Sequence, residues 1–401
     1  MDQRLTFVVA AKKAELSFAE LCRIYEISRP TGYELVRRYE KEGLGGLIDR
    51  SRAPHESPQS IGEKVEAAIL EAREKHPRWG PRKLKAWLAA RKPESQWPAH
   101  SSIGELLRRH GLTVPQKRRR RTPPSEQPFG ECDQSNAVWC IDFKGWFQTG
   151  DGEKCNPLTL TDAYSRYLLR CQVVEQADGE RVKPVLEAAF REYGLPRAIR
   201  SDNGAPFASR GLMGLSRLSI WWIKLGIVPE RIVPGKPQQN GRHERMHLTL
   251  LQETALPPER TLRGQQRKFD WFRREFNEER PHEALSMKTP ASLYRPSCRA
   301  YPARTPIIEY PSAQTVRRVQ KRGQIFWKHE PVFLSETLMG EQVGLEAIDE
   351  RHWKVFFAHL KLGVFDSYKL RFHPAVQGRR RQRKGPAEPE TETGRTTKGA
   401  L

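Results

Sequence analysis

The chain has 401 residues, 37% of them hydrophobic, a length that suits two to four domains rather than a single core. No apolar run approaches the roughly 18–20 residues that cross a bilayer, so no membrane partner is expected. A formal net charge of +22 repels itself unless a polyanion offsets it, and nucleic acid is the partner such a balance implies.

The first stretch, "MDQRLTFVVAAKKAELSFAE", carries Asp2, Lys12, Lys13 and Glu15 around a short apolar run. It reads as an amphipathic helix rather than a signal peptide. Without such a leader, and with six scattered cysteines and no C-x-x-C pair, a reduced cytoplasmic setting is expected. Residues 5–41 read as three helices. Ser17 and Glu20 spell a capping box for the second. Ser28 caps the third, with Pro30 in its first turn. This is helix-turn-helix spelling, so residues 1–50 are expected to bind DNA, with Arg29, Thr31, Tyr33, Glu34, Arg37 and Arg38 toward the groove. The plain alternative is a three-helix bundle with a solvated face.

A polar, proline-containing stretch leads into a second helical group, together residues 51–114. There Leu84, Trp87 and Leu88 share one helical face. It reads as a second helix-turn-helix-like unit, or else as a spacer bundle. Residues 115–134 form a basic linker. Its Lys117, Arg118, Arg119, Arg120 and Arg121 cannot pack and are expected on phosphates or in solvent.

From residue 135 the periodicity changes. "AVWCIDFKGWFQT", "KCNPLTLTDAYS" and "RYLLRCQVVEQ" read as a three-stranded meander. A helix, a short strand ending at "RSDNG", a helix over "LMGLSRLSIWWIKLG", a strand "IVPERIV" and a helix after "PGKPQQNG" follow. That order describes a mixed sheet with helices on both faces, over residues 135–296. Short alternating strands over 302–376 suggest a small SH3-like β-barrel. Residues 377–401 have the composition of a disordered basic tail.

Three carboxylates stand where elements end or begin: Asp142 in "WCIDFKG", Asp202 in "RSDNGAPF" and Glu244 in "NGRHERMHLTL". Neighbouring strands can bring the first two together and a following helix can deliver the third. Oxygen ligands of this kind suit Mg²⁺ or Mn²⁺. Asp162 could be mistaken for a member of the set but fits a strand end or turn better. The loop residues Lys236, Gln238 and Gln239, with Arg242, His243 and Arg245, are expected near the DNA phosphates. Trp146, Trp221 and Trp222 read as core or interface.

These stretches, with "LTLTDAYSRYLL", "PGKPQQNGRHERMHLTL" and "FNEERPHEALSMKTPASLY", closely resemble the DDE transposases of bacterial insertion sequences, most like the IS481 group, within the retroviral integrase superfamily. The resemblance spans about residues 135–296. It implies an RNase H-like core with Asp142, Asp202 and Glu244 as catalytic metal ligands for two Mg²⁺ or Mn²⁺ ions. It implies binding of terminal inverted repeats, end cleavage and strand transfer into target DNA, by a dimer or higher multimer. The gap from Asp202 to Glu244 is wider than in related groups, with the extra residues around "SRGLMGLSRLSIWW". Two alternatives stand beside this. One is a non-catalytic, transposase-derived DNA-binding regulator. The other is a zinc metalloprotease, because His243-Glu244-Arg245-Met246-His247 matches H-E-x-x-H, although no H-E-x-x-H-x-x-G-x-x-H continuation follows.

Overall fold

The computed structural model describes residues 2–49, 61–113, 132–209, 211–232 and 241–375, without the side chains of Asp2 and Arg242. Of the expected DNA contacts, Lys117 to Arg121, Lys236, Gln238, Gln239 and the Arg242 side chain lie outside this set, as does the tail 377–401. The chain divides into two compact units, Met1–Glu66 and Ala67–Leu401.

In the first unit, α1 (Asp2–Lys13), α2 (Phe18–Ile24) and α3 (Arg29–Glu42) enclose Phe7, Val8, Leu21, Cys22, Leu35 and Leu47. The Ser17–Glu20 capping box forms as its spelling requires, and Ser28 caps α3 through the Thr31 N–H. Gly32 lets α3 approach closely: a Cβ there would stand 2.9 Å from both Cys22 Sγ and Phe7 Cζ. Arg29, Thr31, Tyr33 and Arg37 are exposed on α3, while Arg38 is half-buried and donates to the Ile48 carbonyl.

The boundary falls within the first turn of α4 (Glu63–Lys75), and the second unit continues with α5 (Pro81–Arg91) and α6 (His100–Arg109). Its core follows from β1 (Val138–Phe143), β2 (Phe147–Gln148), β3 (Lys154–Asp162), β4 (Leu168–Val174), α7 (Gly179–Tyr193), β5 (Ala198–Ser201), α8 (Arg217–Lys224), β6 (Val228–Arg231), α9 (Gly241–Thr254), α10 (Leu262–Arg274) and the short α11 (Pro290–Leu293). The sheet runs β4-β3-β1-β5-β6, with β2 extending along β3. β1, β3 and β4 are antiparallel neighbours, and β1-β5-β6 are parallel. This is the mixed sheet expected from the order of elements.

Alternation along β3 builds two different faces. Leu158 and Leu160 enter the core with Phe190 of α7 and Trp222 of α8. Cys155 lies on the opposite side with Met246 and Leu250 of α9 and Phe269 and Phe272 of α10. Helices therefore cover both faces. The helix expected over "LMGLSRLSIWWIKLG" is shorter: a 3₁₀ turn at Leu212–Gly214 precedes α8, whose Ser216 is the N-cap. Leu215, Ile220 and Ile223 of this extra stretch pack into the core of the C-terminal strands.

Those strands are β7 (Thr315–Arg318), β8 (Gln324–Trp327), β9 (Glu330–Phe333), β10 (Gln342–Ala347), β11 (His352–Phe357), β12 (Leu360–Asp366) and β13 (Arg371–Pro374). The expected closed barrel is not what they form. They make an open five-stranded sheet, β13-β12-β11-β10-β7, beside a β8-β9 ribbon. Alternation reports that these are strands but not which edges meet, and β7 and β13 stay at opposite edges among the described residues. No helix of the described residues is long and apolar enough to cross a membrane.

Candidate active site

β1 carries Asp142 near its end, and β5 stops one residue short of Asp202. The parallel register pairs Cys140 with Arg200, and continuing it two residues sets Asp142 level with Asp202. Both carboxylates are partly exposed. The Gly204 N–H donates to Asp202 Oδ1 at 3.1 Å, which orients that carboxylate in the "SDNG" turn. Arg200 is almost fully buried and donates through both Nε and Nη2 to Glu230 Oε2, at 3.0 and 2.7 Å, tying β5 to β6 beneath Asp202.

Glu244 sits in the first turn of α9 and is exposed, as is Arg245. The helix turns 100° per residue, so His243 and His247 fall on one side with Met246, Leu250 and Thr254, and all five are buried. His243 is therefore not at the DNA-facing surface where its basic neighbourhood placed it. The apolar residues at its helical spacing carry that face against the sheet.

The histidines meet β3 through two threonines. Thr159 Oγ1 lies 2.6 Å from His243 Nε2 and 2.7 Å from His247 Nε2, and Thr161 Oγ1 lies 3.2 Å from His243 Nδ1. The two rings stand edge to face, 4.5 Å apart. Burial drives the His243 pKa down to about 3. Burial, with His243 and the Lys144 cation adding to it, drives His247 down to about 2. Both imidazoles are neutral at ordinary pH.

Asp142 is the register partner of Thr159, so the two side chains share the α9 face of the sheet. As a result one oxygen of Asp142 and one nitrogen each of His243 and His247 lie within 4.8 Å of one another. Among the described residues this is the trio that converges so closely; Asp202 and Glu244 do not join it at that distance. Thr159 and Thr161 are not among the residues the sequence singles out, and His247 enters there only through the H-E-x-x-H spelling. Two threonines at alternate positions of an otherwise apolar strand, in "LTLTD", are the sequence signal that a polar partner covers that face.

Asp162 is fully buried and structural. It accepts from the Asn136 N–H at 2.7 Å and from the N–H and Oγ of Ser165, closing the β3–β4 turn. Trp221 and Trp222 are buried, whereas Trp146 is exposed under the Lys154 ammonium.

Family models match this chain in four places. An integrase core domain matches residues 133–237 and again 225–290. A helix-turn-helix domain matches 3–55 and a homeodomain-like domain matches 31–107. An uncharacterized 31.7 kDa protein of insertion element IS407 from Burkholderia multivorans is 28% identical over 59% of this chain and 82% of its own length. An uncharacterized 39.2 kDa protein of insertion element IS476 from Xanthomonas euvesicatoria is 29% identical over 59% of this chain and 66% of its own. The catalytic core of BIV integrase is 21% identical over 40% of this chain and 93% of that core, with a TM-score of 0.31. Residues 133–290 thus match integrase core models, and residues 3–107 match helix-turn-helix and homeodomain-like models.

Proposed function

We propose that this chain is the transposase of an insertion sequence. It binds the terminal inverted repeats through residues 1–112, and cuts and joins DNA with Asp142, Asp202 and Glu244. The observation that supports the reading is that β1, which carries Asp142, runs parallel beside β5, which ends one residue before Asp202, while Glu244 stands in the first turn of α9. The likeness to insertion-element proteins points the same way.

The three carboxylates offer only oxygen donors; Asp142 and Asp202 are partly exposed and Glu244 is exposed. Such a set fits Mg²⁺ or Mn²⁺, which bind through one or two carboxylates and complete their shells with phosphate and water. Two such ions, when bound, activate the attacking oxygen and stabilise the leaving one. Asp142, Asp202 and Glu244 would hold the ions in this reading. The Gly204 N–H holds the Asp202 carboxylate in one orientation, and the buried face of α9 holds Glu244 on the outer side of its helix. Arg245, exposed beside Glu244, would meet a phosphate in this reading, as Arg242 and the "PGKPQQNG" loop would by sequence. Because two DNA ends must be brought together, the working form is a dimer or higher multimer.

The test is strand transfer with Mg²⁺ and the element's own ends. Asp142→Asn, Asp202→Asn and Glu244→Gln should each lose joining while still binding ends. Full joining by Asp202→Asn would sink the assignment. A wild-type protein that binds ends tightly and never joins them would favour the non-catalytic regulator.

A further inference from the structure

The H-E-x-x-H spelling is not absorbed by the carboxylate site. Its two histidines point inward, and Glu244 points out. Among the described residues no downstream ligand joins this pair, but a carboxylate of β1 does. Asp142, His243 and His247 present one carboxylate oxygen and two imidazole nitrogens within 4.8 Å of one another. That donor set differs in kind from the all-oxygen set. Imidazole nitrogen suits Zn²⁺, Co²⁺ and Ni²⁺, whereas Mg²⁺ takes oxygen and gives up its waters reluctantly.

We propose that Asp142, His243 and His247 form a second metal site for a borderline divalent ion such as Zn²⁺ or Co²⁺, and that its occupation withdraws Asp142 from Mg²⁺. The second clause rests on the carboxylate reading above; the first does not.

Three features support it. Both Nε2 atoms already converge on a single point, the Thr159 hydroxyl, at 2.6 and 2.7 Å. An ion takes over from that hydroxyl as their shared partner. Thr161 stands 3.2 Å from His243 Nδ1 and can accept a proton held there, the tautomer that leaves Nε2 with its lone pair toward the cluster. A hydrogen bond of this kind to the far ring nitrogen is what orients and strengthens a histidine ligand. Three protein ligands, one from β1 and two from α9, leave a fourth position for water, as in open zinc sites. The Irving–Williams order then favours Zn²⁺ and Co²⁺ over Mn²⁺ at this nitrogen pair, while the carboxylate set keeps its preference for hard ions.

The test uses tag-free, full-length protein stripped of metal and titrated with Co²⁺. Wild type should bind a single equivalent with the intense visible absorption of a four- or five-coordinate ion, and X-ray absorption should show two imidazoles in its shell. Zn²⁺ should displace it. His247→Gln and Asp142→Asn should weaken binding by about tenfold or more, a loss of the size seen even when only second-shell partners go. Asp202→Asn should bind Co²⁺ as wild type does. A six-coordinate spectrum without imidazole, or unchanged affinity in a His247→Gln protein with native circular dichroism, would overturn the site. If His247→Gln does not fold, the wild-type X-ray absorption decides alone. Zn²⁺ added to a Mg²⁺ joining reaction should slow it, with recovery on raising Mg²⁺; inhibition indifferent to Mg²⁺ would overturn the shared use of Asp142. Normal joining by Asp202→Asn would remove the carboxylate reading and leave the Co²⁺ result standing.

Discussion

Asp142 and Thr159 face each other across β1 and β3, and the Thr159 hydroxyl stands 3.1 Å from the Asp142 carbonyl oxygen. The same hydroxyl is the point on which both buried histidines of α9 converge. One side chain thus links the strand of the first aspartate to the helix of the glutamate. Thr159→Val removes that link and orphans two buried ring nitrogens. An orphaned buried polar group costs about 1–3 kcal/mol, so the variant should lose about 2–4 kcal/mol in urea unfolding. Thr159→Ser, which keeps the hydroxyl, should stay within about 1 kcal/mol of wild type. A Val variant as stable as wild type would show that α9 is held without this contact.

Much of this arrangement could be read from the residues. The meander of β1, β3 and β4 follows from alternation, and the caps at Ser17 and Ser28 from local hydrogen-bonding chemistry. What could not be read is pairing between distant segments. The C-terminal strands were visible, but their open order was not, because side-chain alternation carries no information about which edge meets which. His243 was misplaced for a related reason. Its neighbours in sequence are basic, but its neighbours on the helix face are Met246, His247 and Leu250, and the face decides burial. The carboxylate that completes the histidine pair comes from a strand far upstream, where no local motif could reveal it.

On α3, exposure separates residues that sequence alone grouped together. Arg37 is exposed and pairs with Glu34 only at the surface, so it is free to turn to phosphate. Arg37→Ala should weaken end binding and reduce the slope of log K against log salt by about one. Arg38 donates instead to the Ile48 carbonyl at 2.6 Å. Arg38→Ala should lower the melting temperature of the N-terminal unit with a smaller effect on the salt slope. Binding titrations at several salt concentrations, with thermal melts of both variants, check this; equal salt slopes for Arg37→Ala and wild type would remove Arg37 from the interface.

The Arg200–Glu230 pair fixes β5 against β6 just before Asp202. Glu230 is about a quarter exposed and Arg200 almost fully buried, so removing the carboxylate leaves a guanidinium charge in the interior. Breaking a buried pair costs about 3–5 kcal/mol; here, with one partner partly wet, about 2–3 kcal/mol is expected for Glu230→Ala. Joining should fall more than end binding, because the disturbed strand leads directly into Asp202 and is no part of the helix-turn-helix. Unfolding and strand-transfer measurements on one preparation test both halves, and a variant with wild-type stability would refute the first.

Stability should also depend on pH through Lys83 and His282. Burial lowers the Lys83 pKa to about 8, with Arg280 and Arg245 acting in the same sense against Glu283 and Glu253. Burial lowers His282 to about 3, helped by Lys83, Arg280 and Arg166. In each case the folded group releases its proton at lower pH than the unfolded group, whose values are 10.5 and 6.5. Between the two values the unfolded chain holds the extra proton, so stability rises with pH across 3 to 6.5 and again across 8 to 10.5. Each group contributes a slope of up to about 1.4 kcal/mol per pH unit. The difference between wild type and variant isolates each group from the many carboxylates that titrate alongside. Urea unfolding at stepped pH should show a flatter acid limb for His282→Gln and a flatter alkaline limb for Lys83→Met. Limbs that superimpose on wild type would mean that neither group is held below its ordinary pKa in the fold.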